Sequence, residues 1–189
     1  MIRYIQYMNE LHEALLGAQA SGADGRTFEL DAGLERFAAL TLEARRRGGG
    51  LFFIGNGASA MMAGHMAADA EKNAGFKTWA FNDAALLTAI ANDLSFEDVF
   101  ALPIRRHAGA DDVLVAISSS GNSKNILAAI EAMREKGGRV VSLTGMHPDN
   151  RARVLGDLNL YVPAQSYGLI EAAHQAILHA WMDRTVEAG

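Results

Sequence analysis

The hydrophobic positions along this chain fall into two alternating rhythms. Residues 3–20 carry Ile5, Met8, Leu11, Leu15 and Leu16 at helical spacing, with Glu10 and Glu13 elsewhere, which predicts an amphipathic helix. Ser21-Gly22-Ala23-Asp24-Gly25 breaks it. A second helix is expected from about Asp31 to Arg47, with Leu34, Phe37, Ala38 and Leu42 as its apolar face and Gly48-Gly49-Gly50 as its stop. From there, short apolar runs alternate with helical stretches. The runs are Leu51–Ile54, Thr78–Phe81, Asp112–Ile117, Arg139–Thr144 and Leu158–Val162. Helices are expected between them, with a helical turn over Leu86–Ile90, a helix from Phe96 to Arg106 and a last one over residues 167–187. Such alternation predicts an α/β fold with a parallel sheet and right-handed crossovers. One domain is expected, its N-terminal helices over 1–47 and its α/β core over 51–189.

Ligands of open parallel sheets bind outside the carboxyl ends of the strands. Two polar turns lie at such ends. Gly55-Asn56-Gly57-Ala58-Ser59 follows the first core strand, and Ser118-Ser119-Ser120-Gly121-Asn122-Ser123 follows the strand at 112–117. In the second, Gly121 allows a tight turn, and Ser120, Asn122 or Ser123 can cap the next helix. The free N–H groups and dipole of that helix favour an anion, and serine hydroxyls add neutral donors. A phosphate could be held there without a lysine. The turn is neither a Walker A loop nor a dinucleotide fingerprint.

Charge and composition narrow the reading. The formal net charge is −5 and no basic block exists, which argues against sequence-independent nucleic-acid binding. There is no cysteine, which excludes thiolate chemistry and Cys-zinc sites and fits a reducing compartment. No apolar run reaches the ~20 residues of a membrane span, and no secretory signal is visible at Met1–Gln6. The chain reads as soluble and cytoplasmic.

Candidate chemistry lies on two helices. His65 and Asp69 stand four apart on an Ala- and Met-rich helix, so they neighbour each other on one face and can ligate one metal or share a proton. The last helix carries Glu171, His174, Gln175 and His179 among Ala, Ile, Leu and Trp. Glu171 and His179 lie on broadly the same side; His174 lies aside and reads as a core histidine.

The two turns, with Ala91-Asn92-Asp93, Ser142-Leu143-Thr144-Gly145 and the last helix, resemble the sugar isomerase (SIS) phosphosugar-binding domain over almost the whole chain. The subgroup they resemble is that of the phosphoheptose (sedoheptulose 7-phosphate) isomerases, with the DnaA initiator-associating protein as a relative. The resemblance implies a flavodoxin-like three-layer sandwich around a five-stranded parallel sheet, with an added N-terminal helix. It implies that a ketose and an aldose phosphate interconvert through an enediol. Asp69 and His179 fall on the catalytic pair. His65, Asp69, Glu171 and His179 fall on the positions that hold zinc in some members, so a divalent metal, zinc first, is the expected cofactor. Asn56, Gly57, Ala58, Ser59, Asp69, Asn92, Asp93, Ser118, Ser119, Ser120, Ser123 and Glu171 fall at the substrate. Members are tetramers with sites at subunit interfaces, so a sugar-phosphate substrate and a homo-oligomer are expected.

The chain departs from that pattern. Asp69 stands for a Glu, Glu171 for a Gln, Asn73 for an Arg and Gly168 for an Asp, and the segment Gly75-Phe76-Lys77 is short. A carboxylate withdrawn by about one carbon–carbon bond, roughly 1.5 Å, is a large displacement for catalysis. Two carboxylates beside two histidines repel unless protonated or bridged by a cation. Two other readings therefore stand beside the heptose isomerase. One is a phosphosugar- or protein-binding module without turnover; the other is an isomerase of a different sugar phosphate.

Overall fold

The computed structural model describes residues 3–189. Met1 and Ile2 of the expected signal-free N-terminus lie outside the described residues. In chain order the elements are α1 Tyr4–Leu16, β1 Gln19–Gly22, β2 Thr27–Glu29, α2 Leu30–Arg46, β3 Gly50–Gly55, α3 Ala58–Ala74, β4 Lys77–Ala80, α4 Ala84–Asp93, α5 Asp98–His107, β5 Val113–Ser118, α6 Lys124–Glu135, β6 Arg139–Thr144, α7 Arg151–Leu155, β7 Leu158–Tyr161 and α8 Tyr167–Ala188.

The strands form a seven-stranded sheet among the described residues, ordered β2-β1-β7-β6-β5-β3-β4. β4, β3, β5, β6 and β7 run parallel, which is the expected five-stranded core. β3 and β5 are buried along their whole length, so their side chains feed both faces. Leu51, Phe53, Val113, Val115 and Ile117 enter one core with residues of α2, α3 and α8. Phe52, Ile54, Leu114 and Ala116 enter the other with residues of α4, α5 and α6. The first core is closed by Trp181, which stacks on Phe37 at 4.4 Å and donates its indole N–H to Thr41 Oγ1 at 3.3 Å.

The N-terminal region differs from expectation. Helix α1 ends at Leu16 rather than near residue 20, and the end of the stretch read as helix joins the start of the stretch read as a break to form β1, which pairs antiparallel with β7 and with β2. Residues 1–47 are thus not helices alone. Gln19, Ala20, Ser21 and Gly22 are poor strand formers; they pair because the edge of β7 is open to them. Small size is what the place demands. Gly33 of α2 sits so close that a Cβ there would clash with the Cβ of Ala20 and stand 3.0 Å from Leu160. Leu11 and Leu15 of α1 pack against the first core, while Tyr4, Ile5 and Leu16 are exposed, so the predicted apolar stripe is only half used.

Gly33 offers a test. In a free helix, glycine to alanine gains up to ~1 kcal/mol of propensity. Overpacking a tight interface costs about 1–3 kcal/mol, so Gly33→Ala should lower the stability measured by chemical denaturation.

Candidate functional site

The site is built where α3 and α8 meet over β3 and β5. On the buried sides of the two helices lie Ala63, Met66, Ala67 and Ala70 of α3 and Ala173, Ile177 and Leu178 of α8. The more exposed sides converge beside them. His65 Nε2 lies 3.3 Å from Asp69 Oδ2, with Lys72 Nζ 3.9 Å from the other carboxylate oxygen. The rings of His65 and His179 meet edge to face at 5.4 Å. One ligand atom each from His65, Asp69 and His179 lies within 4.8 Å of the other two. A tetrahedral ion with bonds of about 2.1 Å needs donors roughly 3.4 Å apart. Small side-chain rotations close that difference, and two imidazoles with one carboxylate are a donor set that suits a divalent metal.

Glu171 stands outside this three-residue group. It lines, with Ala58, Met61, Met62, His65 and Gln175, an open cavity of about 500 Å³ next to it. Gln175 points its amide toward Met66 Sδ at 3.7 Å; it lies one turn from both Glu171 and His179, a position the sequence left without a role. Asn73 is exposed on the last turn of α3. Gly168, where the resemblance places an Asp, faces α1: a Cβ there would stand 3.2 Å from the Tyr7 hydroxyl.

The two polar turns are joined. Asn56 and Asn125 exchange amide hydrogen bonds of 3.0 and 2.8 Å, and Asn125 also accepts from its following N–H. Gly57, in a positive-φ conformation, precedes α3, whose first residue is Ala58; Ser59 is buried behind it. In the serine turn, Gly121 takes φ +63° and a side chain there would overlap Asn150. The Ser118 hydroxyl accepts from Gly121 N–H at 3.2 Å and that of Ser120 from Asn122 N–H at 3.3 Å. Ser123 is the residue before α6, and its side chain makes no capping bond. Ser118 and Ser119 are buried, whereas Ser120 and Ser123 are partly exposed and face the turn's mouth. Asn92 and Asp93 end α4, exposed and bonded to each other at 2.8 Å, with no hydrogen bond to either turn among the described residues.

The family model described as the SIS domain matches residues 6–145. The chain belongs to the SIS domain family. This SIS domain is 37% identical over 161 residues to the phosphoheptose isomerase of Geobacter sp. (strain M21), covering 82% of this chain and 83% of that one. It is 40% identical over 148 residues to the phosphoheptose isomerase of Rhodospirillum rubrum, with 75% and 78% covered. Among solved structures, phosphoheptose isomerase from Neisseria gonorrhoeae superposes with a TM-score of 0.79 at 31% identity, over 96% of this chain and 92% of that one. The SIS domain here has no helix, among the described residues, long and apolar enough to cross a membrane.

His174 is the buried histidine that the sequence set aside. It is fully buried, and its Nε2 meets the Thr144 carbonyl at 3.1 Å. Burial pushes its pKa down to about 4, against which the Thr144 hydrogen bond works. Unfolded, it titrates near 6.5, so between those values the unfolded chain binds the extra proton. Its contribution is full above pH ~6.5 and is lost as pH falls toward 4, by up to about 3 kcal/mol. Denaturation midpoints from pH 7 to 4 should therefore fall more steeply for the native chain than for His174→Gln.

Proposed function

We propose that this chain is a sugar-phosphate aldose–ketose isomerase of the phosphoheptose type, interconverting sedoheptulose 7-phosphate and an aldoheptose 7-phosphate. The observation that carries the reading is the convergence of His65, Asp69 and His179 where α3 and α8 meet, on a sheet whose strands β3 and β5 end in two polar turns. Ser120, Ser123 and the first N–H groups of α6 hold the phosphate, with Ser118 and Gly121 shaping the turn. Asn56, Gly57, Ala58 and Ser59 form the neighbouring wall, and Asn92 with Asp93 contacts the sugar.

Isomerisation moves a proton between C1 and C2 while the carbonyl passes the other way. A base must stand within hydrogen-bond reach of the carbon-bound proton, and an acid near the oxygens. Asp69 is the base and His179 the opposing acid–base group. Glu171, on the cavity wall, orients the hydroxyls of the chain's reacting end. His65, Asp69 and His179, with Glu171 as a fourth donor, would hold a divalent metal, zinc first among them. Such an ion supplies charge stabilisation for a developing enediolate. A lone pair given to a metal is not available for proton transfer, so the metal-site and proton-pair roles of Asp69 and His179 predict opposite responses to a chelator.

The site is open on one side. Met61 is 78% exposed at the lip of the cavity, and Leu94 and Phe96 beyond α4 are 60% and 61% exposed. These apolar surfaces, with the outer face of α1, support a homo-oligomer whose neighbouring copies close the site; a tetramer is the assembly the family resemblance implies. A phosphorylated sugar as substrate supports a cytoplasmic location.

Turnover of a panel of C5–C8 ketose phosphates, with and without chelator, tests the reading. Conversion of sedoheptulose 7-phosphate that is abolished by chelator, with near-stoichiometric metal in the purified protein, is the expected result. Full turnover in chelator would leave Asp69 and His179 as a plain proton-transfer pair. Binding without conversion of any sugar would favour a sensing module, for which the displaced carboxylate of Asp69 is the specific reason.

The phosphate contact is tested separately. Charge-assisted hydrogen bonds contribute ~1.5–3 kcal/mol each. Ser120→Ala with Ser123→Ala should weaken sugar-phosphate binding by at least about 100-fold in calorimetry while the circular dichroism spectrum is unchanged.

A further inference from the structure

Two buried polar atoms near the serine turn have no hydrogen-bond partner in the protein, and their chemistry is complementary. One is Ser119 Oγ, the other His174 Nδ1. Thr144 offers only a carbonyl to His174, so Nε2 must carry the hydrogen. In a ring kept neutral by burial, Nδ1 is then a bare lone pair. Ser119 has a hydroxyl hydrogen to give.

The fold brings them to one corner. Ser119 accepts the N–H of Gly145 at 3.0 Å, and the carbonyl bound by His174 belongs to Thr144, the residue before it. A Cβ on Gly145 would stand 2.8 Å from Ile170, one helical turn before His174 on α8. Ile117, two residues before Ser119 near the end of β5, lies in the same core as Ile170, Ala173 and Ile177 of α8. Asn159 Oδ1, a third atom without a partner, belongs to a side chain bonded to Ser142 and Thr144 hydroxyls, on the opposite side of the sheet from α8.

We propose that His174 is a positioning residue that ties the serine turn to α8, its Nδ1 accepting the Ser119 hydroxyl directly or across one water. Buried polar groups find partners in nearly every folded protein, and one water with two or more polar contacts is enough. The imidazole then spans three pieces: the end of β6 through Thr144, the phosphate-holding turn through Ser119, and the helix that carries Glu171 and His179. The distance from bound phosphate to the reacting end of the sugar is set by this tie. Ser119, turned inward, acts on the substrate through the turn's position and not as a phosphate ligand. The catalytic consequence rests on the isomerase reading; the tie itself does not.

The nitrogen-15 resonance of His174 Nδ1 tests the tie in the intact protein. In Ser119→Ala it should move toward the position of an imidazole nitrogen with a bare lone pair; an unmoved resonance overturns the proposal. In kinetics, Ser119→Ala and His174→Asn should each lower kcat/KM by about 10-fold, mostly through kcat, since ångström-scale misplacement of reacting groups acts on the chemical step. The double variant should be little worse than the poorer single one. Fully additive losses overturn the proposal. Should His174→Asn fail to fold, the resonance in Ser119→Ala decides alone. A native chain without turnover strikes the isomerase reading, and the resonance still decides the tie.

Discussion

The close approach of α3 and α8 is the constraint on which the candidate site depends. Neither helix carries the chemistry alone. His65 and Asp69 come from one and His179 from the other, above a buried contact in which Ala63, Ala67, Ala70 and Ala173 lie with Met66, Ile177 and Leu178. Alanine is the strongest helix former, so these positions cost nothing in local propensity. Beneath them the two fully buried strands β3 and β5 give both helices a rigid floor.

Much of this was legible in the sequence, for identifiable reasons. Parallel strands are apolar throughout, and each is followed by a helix of 3.6 periodicity, so Leu51–Ile54, Asp112–Ile117 and Arg139–Thr144 announced themselves. The turns were legible because Gly and Ser in those numbers at strand ends have few other uses. His65 and Asp69 were paired by helical spacing alone. The meeting of His65 with His179 depends on how two distant helices cross, and only the resemblance to a known family linked them.

What was not legible depended on tertiary partners. Gln19–Gly22 has no strand signal; the open edge of β7 recruits it, and the hairpin appears only in the fold. The four serines looked equivalent, but the corner at Gly145 separates buried Ser118 and Ser119 from partly exposed Ser120 and Ser123. Asn125, in the first turn of α6, bonds across to Asn56, a pairing no local pattern announces. The replacement of an acidic residue by Gly168 gained a physical setting once Tyr7 was seen beside it.

That reciprocal pair of amides between Asn56 and Asn125 has a consequence for how such a protein can diverge. It welds the two polar turns into one plate, so a shift of either displaces both. Asp69, Asn73, Gly168 and Glu171, the residues that break the family pattern, all lie on α3 or α8, and none lies on the turns. The two turns move as a unit, and the departures stand apart from them on the two helices.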